Sequence, residues 1–560
     1  MEPRPLSTLG SPSENHYVSS GFKEVPSEED SISTPRASGA LDPHQLERAY
    51  GADDATRRLE EIETIKFGWT QIRACLIAGS GFFTDAYDLF IINQASSMMA
   101  YVYYGESTLP KDWDLGVKVA TQVGTMFGQL VFGWLGDHYG RQRIYGIELM
   151  IIIIGTIGSA LSASAVHGFS VLTTLVIMRF IVGFGIGGDY PLSAVITSEY
   201  SSTRHRGAMM SAVFAMQGFG ILASAIVSAI MVVAFKSAIN NDIRNLDLAW
   251  RLCLGIGAIP GIITIYYRLT MKETPRYEID QAKALQAQLD EINMKKVISA
   301  SAAHGDPEKD MLTTDEMSNY WSDFRAHYRK WSNLKILVAC SVCWFSLDVA
   351  FYGINLNNGV ILDAIGYSSS DNPYENLHQA SIGNIIINLM GTVPGYWFTV
   401  FLIERLGRKF IQIMGFSILV VIFIILGFAY HPILDASVAL FIVFFTLAQF
   451  FQNFGPNATT FVYPGEVFPT RFRSTSHGIS AASGKLGAIV AQAGFSQLKD
   501  IGGKNAFVPH IIKILSAFML VGLVFTFLLP ETKGRTLEEI TGENEESEVQ
   551  KDAAESSPRA

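Results

Sequence analysis

Along most of this chain apolar residues run together instead of alternating with polar ones. The runs lack the polar face that a soluble surface helix shows every turn, and they exceed the ~18 residues that mark a bilayer-crossing helix. They fall near 70–100, 117–136, 144–165, 170–198, 208–235 and 249–270. After a long polar interval six more follow, near 334–362, 380–403, 410–430, 436–463, 475–498 and 508–529. The pattern predicts an all-α integral membrane protein with twelve transmembrane helices. The polar stretches between and around them divide the chain into a disordered N-terminal tail (1–66), a six-helix bundle (67–270), a central loop (271–333), a second six-helix bundle (334–530) and a C-terminal tail (531–560).

The two sets of six repeat each other. An offset of 267 residues carries Asp137, Gly140 and Arg141 of the second-to-third loop onto Glu404, Gly407 and Arg408 of the eighth-to-ninth loop. The same offset carries Glu199, Thr203, Arg204 and Arg206 onto Glu466, Thr470, Arg471 and Arg473. Two separate motifs sharing one offset mark a duplicated six-helix unit, and hence two pseudo-symmetric bundles. Orientation follows from the short loops. Arg141, Arg143, Arg204, Arg206, Arg405, Arg408, Lys409, Arg471 and Arg473 all lie on one side, which the positive-inside rule makes cytoplasmic. Both termini and the central loop are expected there too.

Composition agrees with this reading and narrows it little. Apolar residues make up 49% of the 560, Phe occurs 36 times, and charged residues are only 17%. The net charge of −10 sits largely in polar tails rich in Ser, Glu and Asp, so it says little about partners; no nucleic-acid partner is expected. No charged n-region and apolar h-region open the chain, so the first span is expected to serve as the targeting signal. The four cysteines lie in apolar stretches. Cys340-Ser-Val-Cys343 has redox-motif spacing without the strand context that chemistry needs, and packed free thiols are expected. No nucleophile–base pair, metal cluster or phosphate-binding loop falls in a soluble segment, so an enzyme is not expected, nor a cofactor.

The run from Gly133 to Arg143, Gly-x-x-x-Asp-x-x-Gly-Arg-x-Arg, with its degenerate copy at 404–409, resembles the major facilitator superfamily over residues 67–535. That resemblance implies the major facilitator fold, with halves that rock about a central cavity. It also implies a structural role for Asp137, Arg141, Glu199, Glu404, Arg408 and Glu466 as a charge network that locks the cytoplasmic side. Arg179-x-x-x-Gly183-x-Gly185-x-Gly187, Glu273-Thr274-Pro275-Arg276 and Pro530-Glu531-Thr532-Lys533-Gly534-Arg535 resemble sugar porters without settling the cargo. Gly183-x-Gly185-x-x-Gly188 also fits a dinucleotide pattern, but glycines inside an apolar helix serve close packing instead.

More specific is Gly187-Gly188-Asp189-Tyr190-Pro191-Leu192-Ser193-Ala194 followed by Ser198-Glu199, which resembles the phosphate:proton symporters, the high-affinity phosphate permeases of fungi and plants. Phe83-Thr84-Asp85-Ala86-Tyr87-Asp88, Gln217, Trp344-x-x-x-Asp348-x-x-x-Tyr352, Asn457 and Ser483-Gly484-Lys485 match as well. The resemblance implies import of inorganic phosphate with protons.

The side chains suit that cargo in their own right. Ionisable groups inside spans face cavities or one another, and six stand out: Asp85, Asp88, Arg179, Asp189, Asp348 and Lys485. Trp344, Asp348 and Tyr352 share one helical face. Tyr190, Gln217, Trp344, Tyr352 and Asn457 offer neutral hydrogen-bonding groups to phosphate, and Lys485 supplies positive charge. An ionised aspartate would repel phosphate, whereas a protonated one donates to it. Asp85, Asp189 and Asp348 are therefore the expected proton-coupling groups, with a static ion pair to Lys485 or Arg179 as the competing role. Arg179 reads as structural, and Asp88 as a group that caps or pairs nearer the outer end. The Asn457-Ala-Thr459 sequon is expected to be unused, being inside a helix. Two other functions stay open: a proton-coupled sugar or polyol transporter, and a phosphate-sensing transporter-receptor.

Overall fold

The computed structural model describes residues 68–164, 170–271, 274, 276, 277, 279, 316–368, 370 and 372–542. The expected disordered N-terminal tail, most of the central loop and residues 543–560 of the C-terminal tail lie outside them.

Among the described residues twelve helical segments lie close to where the apolar runs place the twelve spans. The first six are Trp69–Tyr104, Lys111–Tyr139, Arg141–Ala160 (in two pieces), Val171–Tyr200, Arg206–Ala234, and the joined pair Leu246–Ile256 and Ala258–Leu269. The second six are Trp331–Asn355, Pro373–Leu406, Arg408–Phe428, the pair Val438–Asn453 and Pro456–Val467, Arg473–Leu498, and Val508–Thr526. Among the described residues, ten stretches are long and apolar enough to cross a membrane by themselves. The second and eleventh spans fall short. The second buries Thr121, Gln122, Thr125 and Gln129, and the eleventh buries Ser480, Lys485 and Gln492. Polar faces are tolerated there because these two helices pack against each other, not against lipid.

The 267-residue repeat is visible in three dimensions. The halves meet mainly along the second and eleventh spans and along the fifth and eighth. These are symmetry-equivalent pairs, since the offset maps the second span onto the eighth and the fifth onto the eleventh. At the repeated loop, Gly140 and Gly407 adopt φ 93° and 92°, a conformation essentially restricted to glycine. The motif glycine is thus required by the turn.

The glycines of the fourth span do a different job. A Cβ at Gly183 or Gly187 would run into the backbone carbonyls of Thr121 or Thr125 in the second span. A Cβ at Gly185 would stand 2.8 Å from the Glu148 carbonyl oxygen in the third. They let three helices approach closely, as small residues do in membranes. Cys340 and Cys343 are buried free thiols. In the central segment a helix, Glu316–Arg329, lies across the arginine-rich end: Tyr320 bonds Asp137 and Thr475, and Tyr328 bonds Ser476.

Candidate substrate site between the two halves

The seventh span carries Trp344, Asp348 and Tyr352 on one face, and all three are buried. Lys485, from the eleventh span, comes to them. Its Nζ donates to Asp348 Oδ2 at 3.1 Å and to the Tyr352 hydroxyl at 2.7 Å. It also lies 4.2 Å from the Tyr352 ring centroid and 4.9 Å from that of Tyr190. Gly484 makes room, since a Cβ there would stand 2.5 Å from Trp344 and 2.9 Å from Asp348 Oδ2. Tyr190 belongs to the first half, so the cluster straddles the interface.

A second cluster forms entirely within the first half. Arg268, near the end of the sixth span, donates to Asp189 at 2.7 Å and to Glu148 at 3.1 Å. Asp85 lies against Asp189, and neither Asp85 carboxyl oxygen accepts from a donor among the described residues. Asp189 and Tyr190 are adjacent, but successive residues point about 100° apart around a helix. The fourth span therefore sends Asp189 to the arginine cluster and Tyr190 to the lysine cluster. Gly81 admits the ion pair, because a Cβ there would overlap both the Arg268 guanidinium and the Asp189 carboxylate.

The competing ion pair considered above is present for Asp348 and absent for Asp189. Lys485 holds Asp348, but the partner of Asp189 is Arg268. Arg179 donates to the backbone carbonyl of Asp88 at 2.6 Å, and the Asp88 side chain accepts from Thr156.

Gln217 and Asn457 do not touch the lysine. They meet through Tyr396, whose hydroxyl donates to Gln217 Oε1 at 3.0 Å and accepts from Asn457 Nδ2 at 2.6 Å. All seven residues expected at the substrate site, Tyr190, Gln217, Trp344, Asp348, Tyr352, Asn457 and Lys485, are no more than 3% exposed. Phe90 stacks on Tyr352, with ring centroids 5.9 Å apart. Beyond it, away from the arginine-rich end, a cavity of about 640 Å³ opens between the halves, lined in part by Asn93, Lys118, Asn357 and Asn376.

At the arginine-rich end the halves are closed. Arg141 meets Glu199 at 3.3 Å and Asp137 at 3.5 Å; Arg408 meets Glu466 at 2.8 Å and Glu404 at 2.7 Å. Arg473 reaches across to Glu199 at 3.2 Å, and Arg141 donates to the Thr470 carbonyl at 2.9 Å. Asn457 is buried within its helix, so its sequon offers no accessible acceptor. Among the described residues no group of three His, Cys, Asp or Glu could hold a metal.

Four buried residues of these clusters escape sequence reasoning. Arg268 and Glu148 sit near span ends, where a charge reads as interfacial. Tyr396 and His477, the latter packed edge-on against Trp344 and Phe461, belong to no motif. Charge near the ends of the third and sixth spans was the only available signal.

Residues 74–543 match the family described as "Sugar (and other) transporter". The chain is 44% identical over 525 residues to the repressible high-affinity phosphate permease of Neurospora crassa, covering 88% of this chain and 91% of the permease. It is 43% identical over 529 residues to an inorganic phosphate transporter of Saccharomyces cerevisiae, covering 89% of each. It is 41% identical over 531 residues to a probable inorganic phosphate transporter of Arabidopsis thaliana, covering 89% of this chain and 97% of that one. Among solved structures, the major facilitator superfamily proton:xylose symporter XylE superposes with a TM-score of 0.63 at 20% identity, over 84% of this chain and 98% of that one. That likeness shows the fold.

Proposed function

We propose, because the chain belongs to the sugar (and other) transporter family and stands among its fungal and plant inorganic phosphate transporters, that it imports inorganic phosphate together with protons. It is a multi-pass membrane transporter, not an enzyme. The plasma membrane, with both termini cytoplasmic, is the location that fits import and the distribution of arginines.

One observation carries the choice of an anionic cargo: Lys485 is buried at the interface of the halves, held by Asp348 and by two tyrosines. A lysine is a compact positive point charge suited to phosphate. Tyr190, Trp344 and Tyr352 cluster with it, and Gln217 and Asn457, joined through Tyr396, add neutral groups from both halves. A sugar site would have no use for the buried ammonium.

Three aspartates, in two clusters, are placed to carry the proton. Asp348 competes with phosphate for Lys485, so neutralising Asp348 frees the ammonium for the anion. Asp85 and Asp189 share one pocket with a single guanidinium and Glu148 beside it. Three carboxyl groups around one guanidinium make this cluster the second place proposed to take up the transported proton. Proton loss at the cytoplasmic side restores the Asp348–Lys485 pair and expels phosphate. The Asp137, Arg141, Glu199, Glu404, Arg408 and Glu466 network closes the cytoplasmic side while the substrate enters from outside.

Uptake of labelled phosphate into proteoliposomes tests the reading. With the outside acidic, phosphate should accumulate, and a protonophore should abolish the accumulation. Accumulation unaffected by the protonophore would end the proton-coupling claim. Strong competition by glucose with none by arsenate would end the phosphate claim.

A further inference from the structure

Resting on the phosphate reading above, we infer that Tyr396 is a positioning residue of the substrate site, which aims one amide from each half at phosphate and keeps their places while the site is empty. The inference stands on the direction of a hydrogen-bonded chain. Asn457 Nδ2 donates to the Tyr396 oxygen at 2.6 Å, and the Tyr396 hydroxyl donates in turn to Gln217 Oε1 at 3.0 Å. Asn457 Nδ2 also donates to Asn453 Oδ1 at 2.8 Å.

A primary amide has two N–H donors. Both donors of Asn457 are therefore engaged, one of them on Tyr396. With both N–H groups held, Asn457 is fixed in place and its side-chain oxygen is left to accept from a protonated phosphate oxygen. The tyrosine oxygen also spares the buried amide an unsatisfied donor. On the other side, a hydroxyl that donates to Gln217 Oε1 fixes which way that amide faces. Its carbonyl is held by the tyrosine and its NH₂ is turned away, available to an anion. Without the hydroxyl the amide is free to rotate and present its carbonyl to phosphate, which repels.

The surroundings are built to hold this ring. Tyr396 is fully buried. It lies one turn after a π-helical segment, Asn388–Thr392, that resets the register of the eighth span, a feature frequent at functional sites. Its ring crosses to the first half over Gly218, where a Cβ would stand 2.8 Å from the tyrosine Cδ2, and it packs edge-on against Phe214 with centroids 5.8 Å apart.

The test is phosphate uptake kinetics in proteoliposomes for wild type, Tyr396→Phe and Gly218→Ala. The first variant removes the hydroxyl; the second keeps it but pushes the ring away by one methyl group in a helix that tolerates alanine. Both should raise KM for phosphate roughly tenfold, the equivalent of one hydrogen bond to a charged ligand, with kcat within about twofold of wild type. A purely structural tyrosine would instead lower thermal stability and leave KM unchanged. Unchanged KM in Gly218→Ala, or in a folded Tyr396→Phe, overturns the inference while leaving phosphate transport intact. If Tyr396→Phe does not fold, Gly218→Ala decides alone. Wild-type protein that takes up no phosphate overturns the transport reading, and this inference with it.

Discussion

Asp137 and Glu404 occupy equivalent positions in the two halves, and each caps a helix that belongs to the other half. Asp137 accepts from the backbone N–H of Ser474 at 3.1 Å and of Thr475 at 2.8 Å, at the start of the eleventh span. Glu404 accepts from the backbone N–H of Ala208 at 3.1 Å, at the start of the fifth. The 267-residue offset maps Ala208 onto Thr475, so the two caps are one interaction repeated. The N-terminus of a helix presents unpaired N–H groups and partial positive charge, which a carboxylate satisfies. Here the satisfaction lasts only while the halves are together.

Opening the arginine-rich side must break both caps. Asp137→Asn combined with Glu404→Gln keeps the shape and removes the charges that face the two helix N-termini, weakening each cap by about 0.3–1 kcal/mol. The closed state should lose population several-fold. A cysteine placed at Ser480, which is buried in the eleventh span, should then be labelled several times faster by a reagent applied from the arginine-rich side. Equal labelling rates in the double variant would deny the caps any part in gating.

Tyr320 adds a third tie at the same place, bonding both Asp137 and Thr475 from the helix Glu316–Arg329. Tyr320→Phe should produce the same acceleration of labelling at Ser480→Cys, but smaller, about twofold to fivefold, since its bond to the Asp137 carboxylate is long at 3.3 Å and its other bond joins two neutral hydroxyls. An effect larger than that of the double cap variant would make the central helix, and not the caps, the main latch.

The Arg268–Asp189 pair predicts a stability effect at a glycine. Gly81→Ala inserts a methyl group where that pair now sits. Separating a buried pair leaves uncompensated charge and costs about 3–5 kcal/mol. Thermal unfolding in detergent should show Gly81→Ala strongly destabilised. Gly116→Ala, whose added Cβ would meet only Val176 at 3.7 Å, should be close to neutral. Similar melting curves for the two variants would show that the pair yields without loss.

Asp348→Asn separates coupling from packing. Asparagine imitates the neutral acid, so phosphate binding should persist and become independent of pH across the range where wild type varies. Proton-driven accumulation should fail. Lys485 keeps its bond to the Tyr352 hydroxyl in this variant, which limits the loss of stability. Binding that still varies with pH as in wild type would reduce Asp348 to a structural partner of Lys485. The same substitution at Asp189 leaves Arg268 with Glu148, so Asp189→Asn should fold and can be compared directly.

Lipid imposes a uniform apolar surface, and that uniformity, with the repeated Asp137 and Glu404 motifs, was enough for the amino-acid sequence to determine twelve spans, their duplication and the arginine-rich side. It also supplied the seventh-span face of Trp344, Asp348 and Tyr352, because helical spacing is a local property. Partnership across the molecule is not local. Asp189 points to Arg268 and not to Lys485 because adjacent residues on the fourth span face different neighbours, and only the packing of six helices says which neighbours those are. The second and eleventh spans tolerate buried glutamines and a lysine because each covers the other, a fact that appears only when the halves meet. Tyr396 is an ordinary aromatic residue along the chain. Its place between Gln217 and Asn457 was decided by a π-turn and a facing glycine, which bring its hydroxyl within reach of both amides.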